Sequence, residues 1–120
     1  MNARQLRALV VEDEMTIALM IEDMLIDLGH QVVAMAMRLP QALEFAETAD
    51  IDFAVLDVNL DGRMSFPVAD TLIERGVPFM FVTGYGAAGV DPKYRDQAIV
   101  VQKPFDMADL SRAIGRLPAN

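Results

Sequence analysis

The sequence predicts an α/β protein built on a five-stranded parallel sheet with helices on both faces, and three observations lead there. Short apolar runs alternate with longer stretches of helical period, the sequence sign of successive βαβ units. The apolar runs stop at polar or charged positions, as at Glu12, Asp57 and Thr83, with Lys103 two residues past Val101. At 120 residues the chain has the size of one domain, able to bury roughly two-thirds of the surface that its unfolded form exposes.

Arg7 to Val11 is the first buried strand. Ile17, Met20, Ile21, Met24, Leu25 and Leu28 then recur at helical spacing until Gly29 ends the helix. Gln31 to Ala36 reads as the second strand, and Pro40 suits the first turn of a helix whose apolar side carries Leu43 and Ala46. Phe53 to Leu56 forms the third strand and leaves Asp57 at its tip. Asp61-Gly62 just downstream is a turn signal. Ser65 and Pro67 can start a third helix bearing Val68, Leu72 and Ile73, closed by Gly76 before the strand from Phe79 to Val82. Between Gly84 and Gln97, Gly86, Gly89 and Pro92 are poor helix-interior residues, so the fourth helix is expected to be short or irregular. Ile99 to Val101 is the fifth strand. Asp106 can cap a last helix with Asp109 in its first turn and Leu110, Ile114 and Leu117 facing inward.

Composition narrows the function classes. Hydrophobic residues make up 53% and charged residues 23%, the balance of a packed globular protein. Ten Lys and Arg stand against 18 Asp and Glu, a net charge of -8 that argues against a nucleic-acid or anionic-membrane surface. Cysteine is absent, which removes disulfides and thiolate metal sites and fits a reducing compartment. Met1 to Gln5 lacks the apolar core of a signal peptide, and no apolar run approaches a membrane span. The expectation is a cytoplasmic single domain over residues 1–120, without repeats, interdomain linker or effector domain.

If the apolar runs are neighbouring parallel strands, their carboxyl ends share one sheet edge, where the ligand crevices of open α/β sheets lie. Glu12, Asp13, Asp57, Thr83 and Lys103 then converge. Three carboxylates, a hydroxyl and an amine suit a hard divalent cation and a phosphoryl group. Each feature also has a structural reading. Glu12 and Asp13 near a helix N-terminus favour its dipole, Asp57 can be a turn aspartate, and Lys103 before Pro104 can be a solvated charge at a turn. Against the turn reading, a carboxylate following four apolar residues is partly desolvated and costly unless a cation or donor compensates it.

Taken together, the acidic pair after strand one, the aspartate after strand three, the threonine after strand four and Lys103-Pro104 after strand five resemble the receiver domain of bacterial two-component response regulators. The likeness covers nearly the whole chain and implies a flavodoxin-like (βα)5 fold. It implies further that Asp57 accepts a phosphoryl group from a sensor histidine kinase, a histidine phosphotransfer protein or a small phosphodonor, with Mg²⁺ as cofactor. By the same carry-over Asp13 and Asp57 bind the metal directly, Asn59 offers its backbone carbonyl, and Glu12 acts through water. Lys103 bridges Asp57 and the phosphoryl oxygens, Thr83 donates its hydroxyl after phosphorylation, and the Lys103-Pro104 bond is cis. A downstream protein target reads the change.

Two departures from the family pattern carry expectations of their own. Many receivers place Tyr or Phe three residues before the lysine, whereas Val100 stands there. The segment from Phe79 to Tyr85 instead looks like a subgroup of stand-alone receivers with a Phe-x-Thr-Gly-Tyr signature. The loop from Gly84 to Gly89 is therefore expected to carry the signal, and Tyr85 to act either as a lid over the site or as a packing residue. Among other readings, a haloacid-dehalogenase-like phosphatase wants Asp two positions after its nucleophile, where Asn59 stands. An FMN carrier conflicts with the acidic first loop. A phosphate sink or shuttle, or a pseudo-receiver adaptor that only binds partners, shares the fold and stays open as the alternative role.

Overall fold

The computed structural model describes residues 4–118. Every predicted strand forms: β1 (Arg7–Val11), β2 (Gln31–Ala36), β3 (Phe53–Asp57), β6 (Phe79–Thr83) and β7 (Ile99–Gln102). They pair in parallel in the order β2-β1-β3-β6-β7. The chain steps outward from β1 to β2 and then returns past β1 to β3, so connections leave β1 and β3 in opposite directions and open a crevice at their carboxyl ends. Between these strands run α1 (Met15–Asp27), α2 (Leu39–Thr48), α3 (Phe66–Arg75) and, last, α4 (Met107–Gly115).

The period-two alternation of the strands sorts the core into two layers. Leu9, Val11, Ala54, Leu56, Phe79 and Phe81 pack with Ala42 and Ala46 of α2 and Val68 and Leu72 of α3. Ala8, Val10, Phe53, Val55, Met80 and Val82 pack on the other face with Ile21 and Leu25 of α1 and Leu110 and Ala113 of α4. Residues 8–11, 53–56 and 80–82 are almost fully buried because both faces of the central strands are covered.

Helix boundaries follow local chemistry. Gly29 (φ +90°) and Gly76 (φ +71°) take the left-handed conformation that ends α1 and α3. Pro40 lies in the first turn of α2, where its missing N–H is not needed. Asp106 and Asp109 form a reciprocal capping box at the start of α4, with hydrogen bonds of 2.8 and 3.0 Å.

Several local expectations are corrected. Asp57, Thr83 and Gln102 close their strands rather than following them. Ser65 occupies the N-cap position of α3, but its hydroxyl caps nothing and is buried without a partner. Ile73 faces solvent at 37% exposure, because α3 needs only Val68, Ala69 and Leu72 against the sheet. Leu117 lies beyond the end of α4, half-buried against the core. The Asp61-Gly62 turn joins a short hairpin, β4 (Asn59–Leu60) and β5 (Arg63–Met64), with both turn residues at positive φ. The segment between β6 and β7 holds only two 3-10 turns, Gly86–Gly89 and Pro92–Tyr94, as its glycines and proline led one to expect.

Candidate functional site

Strand register builds the site. Val11 pairs with Leu56 and Asp57 with Val82, so Glu12, one residue past β1, falls level with Asp57. Thr83 pairs with Gln102, and the Lys103 N–H donates to the Thr83 carbonyl at 2.9 Å, continuing the ladder past the last strand. The peptide bond between Lys103 and Pro104 is cis. The predicted residues Glu12, Asp57, Thr83 and Lys103 therefore lie on one edge of the sheet, at its carboxyl end.

Glu12 and Asp57 are buried at 1% and 8% exposure, and Lys103 reaches both. Its Nζ donates to Glu12 Oε1 at 3.2 Å and to Asp57 Oδ2 at 3.4 Å. Asp13 is half-buried beside them, and its Oδ2 accepts the N–H of Asp61 at 2.9 Å. The β4–β5 hairpin thus holds this carboxylate from the far side. One oxygen from each of Glu12, Asp13 and Asp57 lies within 4.8 Å of the other two.

Glu12 and Asp57, buried side by side, do not ionise freely. Burial pushes the Glu12 carboxyl up to about 7, helped by its contact with Asp13 and the field of Asp57. Burial also raises Asp57, partly opposed by the positive charge of Lys103 and by the Asn59 N–H. Burial pulls Lys103 down, but the two facing carboxylates outweigh it and hold the ammonium charged above its ordinary range. One cation is shared by a cluster with more negative charge than it neutralises. The deficit, together with an all-oxygen donor set, fits a hard divalent cation.

Thr83 is buried at 4% exposure, and its Oγ1 accepts the N–H of Tyr85 at 3.1 Å. A cleft of about 330 Å³ opens beside Asp57, walled by Thr83, Gly84, Tyr85, Gly89 and Met64. Tyr85, one of the residues that line the cleft, is 80% exposed, which removes the packing reading. Asn59, two residues past Asp57, turns its N–H to the Asp57 carboxylate and lines the same cleft, while its exposed side-chain oxygen accepts the Gly62 N–H at 2.7 Å.

Sequence reasoning missed what stands in place of an aromatic ring at position 100. Val100 is half-buried beside Phe81. Tyr94 arrives from the loop instead, stacking on Phe66 at 5.0 Å and meeting Phe81 edge-on at 6.0 Å. Its hydroxyl donates to Asp70 of α3 at 2.7 Å. The signal available was an aromatic at position 94 in a polar, turn-rich stretch. No helix of the described residues is long and apolar enough to cross a membrane.

The comparisons agree with this geometry. Residues 8–115 match the family model of the response regulator receiver domain. SdrG from Sphingomonas melonis Fr1, solved in solution, is 42% identical, with a TM-score of 0.81 over 92% of this chain and 94% of that one. The phyllosphere-induced regulator PhyR of Methylorubrum extorquens is 29% identical over 90% of this chain and 42% of its own length. The transcriptional regulatory protein PdtaR of Mycobacterium tuberculosis is 28% identical over 90% of this chain and 54% of its own. The chain thus spans about half the length of the curated relatives it matches. The strand order, the acidic trio and a family match over residues 8–115 agree, and the chain belongs to the response regulator receiver domain family.

Proposed function

We propose that Asp57 is the phosphoacceptor of a two-component or phosphorelay signalling protein. The observation that carries the reading is the placement of its carboxylate: at a cleft mouth, 3.4 Å from Lys103 Nζ and grouped with Glu12 and Asp13. A carboxylate oxygen attacks the phosphorus of a phosphohistidine; the P–N bond breaks, and the imidazole keeps the electron pair and takes up a proton. Lys103 then shifts its contact from the carboxylate to a phosphoryl oxygen, and the Thr83 hydroxyl leaves the Tyr85 N–H to donate to another. Mg²⁺, when bound, offsets the charge of the acids and of the transferring group. Asp13 and Asp57 would hold it directly, with Glu12 acting through water and Asn59 through its carbonyl.

A related structure supports the switch: SdrG, 42% identical with a TM-score of 0.77, has been solved in a BeF3-activated conformation. A sensor histidine kinase or histidine phosphotransfer protein supplies the phosphoryl group, and a downstream protein reads the altered loop. The chain acts on its own acyl phosphate rather than on a separate substrate. Incubation with labelled acetyl phosphate and Mg²⁺ tests the assignment. The parent should take up one acid-stable, base-labile label per chain, and Asp57→Asn none; equal labelling of the variant rejects Asp57.

A further inference from the structure

The loop after β6 approaches Thr83 so closely that only glycine fits. A Cβ placed on Gly89 would lie 2.4 Å from Thr83 Oγ1, 3.2 Å from Tyr85 Cβ and 3.4 Å from Thr83 Cβ. The hydroxyl is wedged between that bare backbone and the Tyr85 N–H, which donates to it at 3.1 Å. One rotation of the threonine about Cα–Cβ would put its larger methyl group into the same gap, and the other leaves only the β-hydrogen there and opens it. The resting position of the hydroxyl therefore exists because residue 89 has no side chain.

The rest of the loop confines any response to a short stretch. Val90 is buried at 1% and Tyr94 at 3%, so the far side of the loop is anchored in the core. Between Thr83 and Val90 lie Gly84, Gly86 and Gly89, with Gly86 at φ +57°. We infer that Gly89 is a positioning residue whose missing side chain seats the Thr83 hydroxyl in the resting state, and that departure of the hydroxyl lets residues 84–89 close into the space it leaves. This rests on Asp57 as phosphoacceptor and Thr83 as the donor that follows it, and adds the element that senses the move.

Alanine at position 89 penalises the resting position and spares the vacated one, so it biases the equilibrium toward the switched state before any phosphoryl group arrives. The test is beryllofluoride titration with Mg²⁺, followed by ¹H–¹⁵N spectra, on the parent, Gly89→Ala, Thr83→Ala and the double variant. Gly89→Ala should bind beryllofluoride about threefold to tenfold more tightly than the parent. It should also move the Tyr85 amide toward its loaded position without ligand. In the Thr83→Ala background the same alanine meets no hydroxyl and should change the affinity by less than about twofold. Unchanged or weaker binding by Gly89→Ala overturns the inference, as does an equal gain in both backgrounds. Should Gly89→Ala fail to fold, the parent decides: beryllofluoride must shift the Gly89 and Tyr85 amides together, and a Gly89 amide that stays still overturns it. A parent that binds no beryllofluoride with Mg²⁺ defeats the phosphoacceptor reading instead. The hydroxyl contact is then judged by melting, where Gly89→Ala must destabilise the parent more than it destabilises Thr83→Ala.

Discussion

Lys103 is the residue on which the charge balance of the site turns. It is the cation that reaches both buried carboxylates, at 3.2 and 3.4 Å. Replacing it with methionine keeps most of the stem packing and removes the charge, leaving Glu12 and Asp57 facing each other uncompensated. Breaking such a partly buried arrangement from one side costs about 1–3 kcal/mol. Urea melts of Lys103→Met at pH 7.5 without Mg²⁺ should show that loss, and melts at pH 5 should show less of it, because Glu12 then takes up a proton in place of the ammonium. A loss independent of pH would mean that the side chain matters for packing rather than for charge. The position of this lysine was legible in the sequence because it comes two residues after an apolar run and precedes a proline. Its second partner was not, since the resemblance joined Lys103 to Asp57 and left Glu12 to the metal. Glu12 falls level with Asp57 only through the strand register, and that register places it within reach of the amine.

At the scale of elements, α3 carries two features that push stability in opposite directions. The Ser65 hydroxyl at its start is buried with no partner, so it has the cost of desolvation without the benefit of a cap. Ser65→Ala should be neutral or stabilising by up to about 1 kcal/mol, the reverse of the usual loss of an N-cap serine, measured by the denaturant midpoint at constant m-value. Further along the helix, Asp70 accepts the Tyr94 hydroxyl and ties the loop between β6 and β7 to α3. Tyr94→Phe should destabilise by about 0.5–1.5 kcal/mol and raise amide exchange across residues 84–97 more than elsewhere. In the parent, burial and Asp70 push the phenol up to about 12, so a near-ultraviolet titration should find one tyrosine that ionises late. These features also mark where reading the sequence stopped. The five strands and four helices were legible because apolar period and terminal residues agree in each, as with Gly29, Gly76 and the Asp106–Asp109 pair. The β4–β5 hairpin was visible only as its Asp61-Gly62 turn, because strands of two residues are too short to show a period. Ser65 was read as a cap because cap preference is local, while burial of its hydroxyl is a property of the folded chain.

For the whole molecule, the acidic trio sets how stability responds to pH and to metal. Glu12 titrates near 4.5 in an unfolded chain and is pushed up to about 7 here by burial and by Asp13 and Asp57. Folding therefore favours its protonated form. Below about pH 4.5 Glu12 is protonated whether the chain is folded or not, and its contribution is fully present. As the pH rises through about 7 the unfolded chain has already lost the proton and the folded one must follow, so stability falls and then levels. Asp57, also raised, acts in the same direction. Carboxyls held low by partners, such as Asp52 against Arg7, lose their contribution below their ordinary range and so act at more acid pH. The metal-free protein should consequently be less stable at pH 8 than at pH 5.5, against the common trend of acid destabilisation. A divalent cation shared by the three carboxylates removes the reason for that loss, because it favours their ionised forms. At a free concentration of about 100 times the dissociation constant it adds roughly 2.7 kcal/mol by mass action. Binding weakens in acid as Glu12 and Asp57 protonate, so the gain should be large at pH 8 and small at pH 5.5. Thermal melts at the two pH values, with EDTA and with millimolar Mg²⁺, measure all four corners. A flat pH response in EDTA would show that Glu12 is ionised throughout, and equal Mg²⁺ gains at both pH values would show that the cation binds away from Glu12 and Asp57.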